Sequence, residues 1–200
     1  MSLTTHWDRQ YEGMPPWETE EPCSELQRIV AEQPISPCRV VEVGCGMGTN
    51  AIWLAQQGFY TTAVDVSGKA IMMARRQAKE KGVWVRFEIS ELQEFARNNG
   101  PYDFLLDRGC YGVVRRTDSQ GYSKACRNLT RPGGLALIMA GNAEEPEDGL
   151  GAPTVTAEQI RGDFSNHFHI ELLKAFRFDK GLGQSKTYLG WSCLLRKKEN

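Results

Sequence analysis

The chain has 200 residues, 40% of them hydrophobic and 24% charged, and its formal net charge is -1 at pH 7. These values are typical of one globular domain, and the nearly balanced charge argues against nucleic acid or an anionic membrane surface as a partner. No apolar run reaches the roughly 20 residues of a membrane-spanning helix and the N-terminus lacks the apolar part of a signal peptide, so we expect a cytoplasmic protein.

The first unusual stretch is EGMPPWETEEPCSEL, residues 12–26. Adjacent prolines exclude a central strand because they remove backbone donors, whereas Trp17 is out of place in a disordered tail. We therefore expect an ordered segment that lies outside the sheet.

From residue 39 onward, apolar runs alternate with helical patterns, which is typical of a parallel sheet covered by helices on both faces. The predicted strands are 39–43, 60–64, 83–87, 102–106, 135–139, 170–178 and 188–195. Helices are predicted at 49–57, from a Ser67 cap to Gly82, from an Asp118 cap, and from a Thr156 capping box. The predicted fold is an α/β Rossmann-like doubly wound sheet of about seven strands, mostly parallel, with an antiparallel C-terminal strand.

The segment VVEVGCGMGTNAIWLA, followed by AVDVSG, carries the chemical signal. A strand runs into Gly44, Gly46 and Gly48, where the backbone turns tightly and a ligand can approach it. Asp65 ends the next predicted strand, where its carboxylate can accept hydrogen bonds from ribose hydroxyls. We therefore predict a nucleoside-containing cofactor.

Two details favour S-adenosylmethionine over a nicotinamide dinucleotide. The spacing is G-x-G-x-G rather than G-x-G-x-x-G. Glu42 lies two residues before Gly44, where its carboxylate would repel a pyrophosphate but attract the sulfonium and ammonium groups of S-adenosylmethionine.

EVGCGMG resembles motif I of the class I S-adenosylmethionine-dependent methyltransferases. FEISELQEF is similar to the end of their third strand, YDFLLDRGCYGVV to their fourth-strand motif, and RPGGLALIM to the turn and strand before their substrate loop. The resemblance implies cofactor binding by the motif residues and by residues at the ends of the next strands: Glu42, Gly44, Gly46, Asp65, Val66, Glu91, Leu92 and Asp107. The plain alternatives are that Glu91 favours a helix dipole and that Asp107 caps the following turn.

HWDRQYEGMPPWETEEPCSEL is similar to the N-terminal segment of the thiopurine, halide and thiol methyltransferases and of bacterial relatives that act on heterocyclic thiols. This resemblance implies a lid in which Trp7, Tyr11 and Trp17 fold over the cofactor. We expect a single domain, with an N-terminal segment (1–33) that holds the lid and a helix. A cofactor-binding core (37–141) and a region with the substrate loop, closing helix and strand pair (142–200) follow it.

The resulting hypothesis is a methyltransferase whose small-molecule acceptor is a thiol, a heterocycle or a soft anion. We identify no general base, so the catalytic residue stays unassigned. No Cys/His cluster has the spacing of a metal site, and we expect a monomer or weak homodimer. Two alternatives stay open: a non-catalytic module that binds S-adenosylmethionine, and a nicotinamide-dependent oxidoreductase.

Overall fold

The computed structural model describes residues 3–33, 35–145 and 153–199, and it contains one mixed sheet flanked by helices. The strands are β1 Arg39–Val43, β2 Tyr60–Asp65, β3 Arg86–Ile89, β4 Tyr102–Arg108, β5 Thr130–Asn142, β6 Thr154–Val155, β7 Phe168–Arg177 and β8 Leu189–Lys197. The helices are α1 Leu3–Gln10, α2 Ser24–Glu32, α3 Thr49–Gln56, α4 Gly68–Glu80, α5 Leu92–Asn98, α6 Cys110–Leu129 and α7 Ala157–Phe164.

The order of the strands confirms the predicted doubly wound fold. The sheet runs β3-β2-β1-β4-β5-β8-β7, with the short β6 beside β5. All neighbours pair in parallel except β8, which is antiparallel to both β5 and β7. The chain moves outward in one direction from β1 and in the other from β4, and a crevice is expected where two such strands end side by side.

Alternate residues of the central strands pack on opposite faces of the sheet. Leu105 of β4 belongs to a hydrophobic cluster with α5, α6 and α7, whereas its neighbours Phe104 and Leu106 belong to a cluster with α2 and α3. Both faces of β4 are therefore buried, which explains why its sequence is a continuous apolar run rather than an alternating one.

The third strand lies further along the chain than predicted. Residues 83–85 do not join the sheet, because the chain at this point forms the C-terminal cap of α4. Gly82 adopts φ +66°, and the N–H of Val83 donates to the carbonyl of Ala78 at 3.1 Å, which is the pattern of a Schellman motif.

The predicted turn at Pro132-Gly133-Gly134 lies inside β5 as an irregularity. Tyr102 pairs with Thr130 and Phe104 pairs with Leu135, so one residue of β4 faces four residues of β5. The strand thus begins before the turn and resumes after it, an arrangement that short-range periodicity does not predict.

The helix predicted to begin at Asp118 is the second half of α6. Asp118 has non-helical backbone angles, and its Oδ1 accepts from the N–H of Gly121 at 2.8 Å, as a capping residue does. The first half, residues 110–117, was missed because Gly112 and the two valines that follow it are poor helix formers.

Candidate active site

A crevice opens where β1 and β4 end side by side, with Val43 paired to Asp107. The space in the crevice, counted together with its open mouth, is about 350 Å³. The lining residues come from the N-terminal segment, the end of β1, the glycine loop, α3 and the end of β4: Tyr11, Trp17, Glu18, Thr19, Glu42, Gly44, Cys45, Gly46, Thr49, Asn50 and Arg108.

The glycine loop needs its glycines for backbone conformation and for close packing. Gly44, Gly46 and Gly48 have φ values of +64°, +54° and +77°, in the left-handed region that side chains disfavour. A Cβ atom at Gly46 would overlap Glu18 Oε1, and one at Gly44 would overlap the side chain of Cys110. The loop is therefore shaped by its own neighbours within the chain as well as by any ligand.

Glu42 lies at the base of the crevice, and only 2% of its surface is exposed. Its Oε1 accepts from Asn50 Nδ2 at 3.1 Å, whereas its buried Oε2 has no hydrogen-bond partner among the described residues. Burial raises the pKa of this carboxyl to about 8, and nearby Glu18 adds to the rise. A buried acceptor without a partner fits a ligand that brings a positive charge or a donor.

Asp65 shapes the glycine loop from the end of β2. Its two carboxylate oxygens accept from the N–H of Gly46 at 2.9 Å and from the N–H of Ser67 at 2.8 Å. Burial raises its pKa, although these backbone donors oppose the shift. Val66 follows as a half-buried residue, and neither Asp65 nor Val66 lines the crevice itself.

The N-terminal segment lies directly on the glycine loop. Tyr11 donates its hydroxyl to Glu18 Oε1 at 2.7 Å, and the N–H of Met47 donates to the same oxygen at 3.2 Å. Trp17 Nε1 donates to the Tyr11 hydroxyl at 3.3 Å, and Trp7 packs edge-on against Trp17 with ring centroids 5.7 Å apart. Tyr11 and Trp17 therefore line the crevice, whereas Trp7 supports Trp17 from behind.

Both flanks of the N-terminal segment are held by contacts distant in sequence. Asp8 Oδ1 accepts from Ser67 Oγ at 2.7 Å, which docks α1 on the start of α4. The N–H of Leu182, in the loop between β7 and β8, donates to the carbonyl of Glu18 at 2.7 Å. The segment is thus clamped between the loop after β2 and the C-terminal hairpin.

Arg108 is a site residue that the sequence analysis did not select. Its guanidinium donates from Nη1 to the carbonyl of Trp17 at 3.0 Å and lies 5.3 Å from the centroid of the Phe178 ring. Its buried Nε has no partner among the described residues. The available signal was its position immediately after Asp107 at the end of β4.

Asn50 and Glu18 also escaped assignment to the site. Asn50 is buried in the first turn of α3, where its side chain links Glu42 to the backbone N–H of Cys23. Asparagine is unfavourable inside a helix unless its side-chain amide makes hydrogen bonds. Its presence in the predicted helix was therefore the signal that the sequence offered. The sequence contains no comparable signal for Glu18 beyond its place after Trp17. Its partners Tyr11 and Met47 are brought to it only by the path of the folded chain.

Asp107 is fully buried, and its side chain caps the turn that follows it, which was the alternative to cofactor binding. Its oxygens accept from the N–H groups of Cys110 and Tyr111, each at 2.9 Å, and from the Tyr122 hydroxyl. Burial raises its pKa to about 7. These bonds fix the start of α6, and the side chain does not line the crevice.

The structure does not bring Glu91 or Leu92 into the crevice. Glu91 is the exposed cap residue of α5 and makes no capping hydrogen bond with its side chain, and Leu92 packs in the hydrophobic core. The predicted substrate loop falls partly outside the described residues, at 146–152. Among the described residues, no group of His, Cys, Asp and Glu is arranged to hold a metal ion, and no helix has the length and apolarity to cross a membrane.

The sequence of the chain is similar to those of several methyltransferases. Over 164 residues the chain is 23% identical to a 2-heptyl-1-hydroxyquinolin-4(1H)-one methyltransferase of Mycobacteroides abscessus, covering 81% of this chain and 72% of that protein. It is also 31% identical over 119 residues to a ubiquinone biosynthesis O-methyltransferase of Xylella fastidiosa, covering 58% of this chain and 47% of the relative. The chain spans about half the length of the ubiquinone biosynthesis O-methyltransferases that it matches.

The fold has a similar counterpart among solved structures. A structure described as "Conversion of a Disulfide Bond into a Thioacetal Group during Echinomycin Biosynthesis" superposes with a TM-score of 0.86 at 24% sequence identity, covering 99% of this chain and 94% of the other. Residues 40–134 match the family model of a methyltransferase domain. Together with the fold and the crevice, this match supports a class I S-adenosylmethionine-dependent methyltransferase.

Proposed function

We propose that the protein methylates a small acceptor that reaches the crevice as an anion, with a thiolate or an acidic heterocycle as the best fit. The observation that carries this proposal is that the crevice contains a buried carboxylate oxygen without a partner, on Glu42, and the guanidinium of Arg108. The carboxylate suits the cofactor, and the guanidinium suits an acceptor of opposite charge.

The residues of the crevice fit S-adenosylmethionine. Glu42 Oε2 would accept from its ammonium group, and the backbone of Gly44 and Gly46 would allow its close approach. Asp65 would bind the ribose hydroxyls through remaining lone pairs, since each carboxylate oxygen accepts more than one bond. When bound, the cofactor supplies a methyl group on a positively charged sulfur.

The other predicted site residues keep supporting roles in this proposal. The aromatic rings of Tyr11 and Trp17 would cover the cofactor, as in the lid hypothesis, and Trp7 would support the ring of Trp17. Val66 and Glu91 follow β2 and β3 on the edge where the crevice opens, and in this proposal they would lie towards the nucleoside end of the cofactor. Leu92 and Asp107 would not contact the cofactor. Leu92 would support the site by packing in the core, and Asp107 by fixing the start of α6.

The crevice offers little to an acceptor that must lose a proton. Among its described lining residues there is no histidine, and the carboxylate of Glu18 is already bonded to the Tyr11 hydroxyl. Burial raises the pKa of the Tyr11 phenol, which makes it a poor source of a basic phenolate. An acceptor that arrives as an anion needs no base, and Arg108 would draw it in.

A closed lid would also favour this reaction. The charges of an anionic acceptor and of the sulfonium are neutralised as they react, so a site with little water lowers the barrier. Trp17 and Tyr11 present apolar rings to the crevice, and the N-terminal segment that carries them is held on both flanks. We keep in this proposal the division into an N-terminal lid and helix (1–33), a cofactor-binding core (37–141), and a substrate loop with a closing helix and strand pair (142–200).

The names of similar proteins are consistent with this class of acceptor. The Mycobacteroides abscessus relative is named for a hydroxyquinolone, which is a heterocycle, and the echinomycin structure is described by a conversion at sulfur. The ubiquinone biosynthesis relatives are named as O-methyltransferases. Oxygen acceptors therefore belong in any test of the proposal.

The proposal is tested by following S-adenosylhomocysteine release with acceptors that differ in charge: heterocyclic thiols, acidic phenols, neutral alcohols and amines. Turnover is expected with acceptors that are anionic at the assay pH. Arg108→Met should raise KM for these acceptors about 10–100-fold, the loss expected for one charged hydrogen bond. Affinity for S-adenosylhomocysteine should change less than KM for the acceptors, because Arg108 acts on the cofactor only indirectly, through Glu42 and the carbonyl of Trp17, and Arg108→Lys should restore part of the loss. Turnover with neutral amines alone, or an Arg108→Met enzyme with unchanged KM, would contradict the proposal.

A further inference from the structure

The side chain of Asn50 joins two parts of the crevice that are otherwise separate. Its Nδ2 donates to Glu42 Oε1 at 3.1 Å, and its Oδ1 accepts from the N–H of Cys23 at 2.8 Å. Asn50 itself is 7% exposed, and Cys23 is the residue that precedes α2. One amide therefore connects the base of the crevice to the end of the lid.

The bond from Asn50 determines which oxygen of Glu42 is available to a ligand. Oε1 is occupied by the amide, whereas Oε2 is buried and without a partner among the described residues. A free carboxylate could rotate between several orientations, and the amide of Asn50, together with the N–H of Ala51, favours one of them. Preorganisation of this kind lowers the cost of binding a charged group.

We infer that Asn50 is a positioning residue for S-adenosylmethionine, which holds Glu42 with one oxygen free for the ammonium group and ties that carboxylate to the start of α2. This inference rests on the proposed function of the crevice. It adds a residue that does not touch the cofactor but acts through Glu42.

The charges around Glu42 predict how the loss of this amide changes the pH dependence of binding. Burial and the neighbouring Glu18 of the N-terminal segment raise the pKa of Glu42, whereas Asn50, the N–H of Ala51 in α3, and Arg108 at the end of β4 lower it. Without Asn50 the pKa rises further, so more of the carboxyl is neutral near pH 7. Affinity for an ammonium ligand should then fall at low pH and recover as the pH rises.

Calorimetric titration of Asn50→Ala with two ligands tests the inference. S-adenosylhomocysteine carries the ammonium group, whereas 5′-methylthioadenosine has the same nucleoside and lacks the amino-acid end. At pH 6.5 we expect the variant to lose about 10–100-fold in affinity for S-adenosylhomocysteine, as expected for a hydrogen bond to a charged group. The loss should be smaller at pH 8.5, and affinity for 5′-methylthioadenosine should change less than about twofold, within roughly 0.4 kcal/mol.

Thr49→Ala is the matched control, because Thr49 also lines the crevice and its hydroxyl donates to the carbonyl of Thr19 at 3.0 Å. It loosens the same segment without touching Glu42, so any weakening should affect both ligands alike and be independent of pH. If the alanine variant does not fold, Asn50→Ser can be used instead, because serine keeps a hydroxyl donor. We expect it to lose affinity for S-adenosylhomocysteine in the same direction but by a smaller factor.

Two results would overturn the inference: equal weakening of both ligands in the Asn50 variants at both pH values, or unchanged affinity for S-adenosylhomocysteine. The first would make Asn50 a residue of general structural importance only. A wild-type protein that does not bind S-adenosylhomocysteine at all would instead overturn the proposed function of the crevice, and the inference with it.

Discussion

At the scale of single residues, burial decides what each carboxylate near the sheet edge does. Glu42 and Asp107 end neighbouring strands and both are almost completely buried. Asp107 is saturated by backbone donors and a tyrosine hydroxyl, so it stabilises α6. Glu42 retains an unused oxygen, so it is the one suited to a ligand. Two acidic residues in similar sequence positions thus differ in whether they can accept a hydrogen bond from a ligand.

The raised pKa of Glu42 predicts a pH-dependent stability that Glu42→Gln removes. A carboxyl with a folded pKa of about 8 holds a proton that the unfolded chain has already released, so the free energy of unfolding falls as the pH rises from about 4.5 towards 8. Urea unfolding without ligand should therefore show Glu42→Gln gaining stability relative to wild type between pH 5.5 and pH 8.5. Because Asp107 titrates in both proteins, its contribution cancels in the difference between their free energies of unfolding. A constant difference between the two proteins across this range would show that Glu42 keeps an ordinary pKa.

At the scale of secondary-structure elements, local sequence signals were reliable wherever the side chain acts on its own backbone. The capping box predicted at Thr156 is present, with Thr156 Oγ1 accepting from the N–H of Gln159 at 3.2 Å and Gln159 Oε1 accepting from the N–H of Thr156 at 2.9 Å. Ser67 caps α4 in the same way through the N–H of Ala70. The first half of α6 lacked such a signal and was missed.

Thr156→Ala should lower the free energy of unfolding by about 1 kcal/mol, because it leaves one N–H group at the start of α7 without its side-chain partner. Thr117→Ala is a suitable comparison, since that hydroxyl donates to a helix carbonyl, that of Val114, and caps nothing. Its effect should stay within about 0.5 kcal/mol in the same urea titration. Equal effects of the two substitutions would mean that the cap contributes no more than an ordinary surface hydroxyl.

At the scale of the whole molecule, residues 3–20 contact the glycine loop and line part of the crevice rather than pair with the sheet. Within the described part of the chain, these residues supply no strand to the sheet, and none of them is a member of the three hydrophobic clusters. Instead they contact the glycine loop through Glu18, the start of α4 through Asp8, and the C-terminal hairpin through Leu182. Such contacts are typical of a cover that closes on a site.

Deletion of residues 1–20 should leave a protein that unfolds cooperatively but has lost turnover, because the sheet and its clusters stay intact while Tyr11, Trp17 and Glu18 are removed from the crevice. Circular dichroism during heating measures the first property, and S-adenosylhomocysteine release measures the second. Asp8→Ala, which only frees α1 from α4, should reduce turnover without abolishing it. Full turnover after the deletion would rule out the lid, and loss of cooperative unfolding would show that the segment is part of the core.

The sequence alone determined the fold class, because alternating apolar strands and amphipathic helices have few ways to bury both faces of a sheet. It also determined the chemical class of the cofactor, because the glycine loop, Glu42 and Asp65 lie close together along the chain. Their geometry follows from one strand-loop-helix unit and its neighbour, which is why these motifs were recognisable without a structure.

Only the tertiary structure decided which other side chains meet in the crevice. The contacts of Arg108 with Trp17 and of Glu18 with Met47 join residues 91 and 29 positions apart. The bond between Asn50 and Cys23 likewise brings α3 to the start of α2. Such contacts depend on the path of the whole chain and leave no periodic trace in the sequence, because hydrophobic periodicity records only which face of an element is buried.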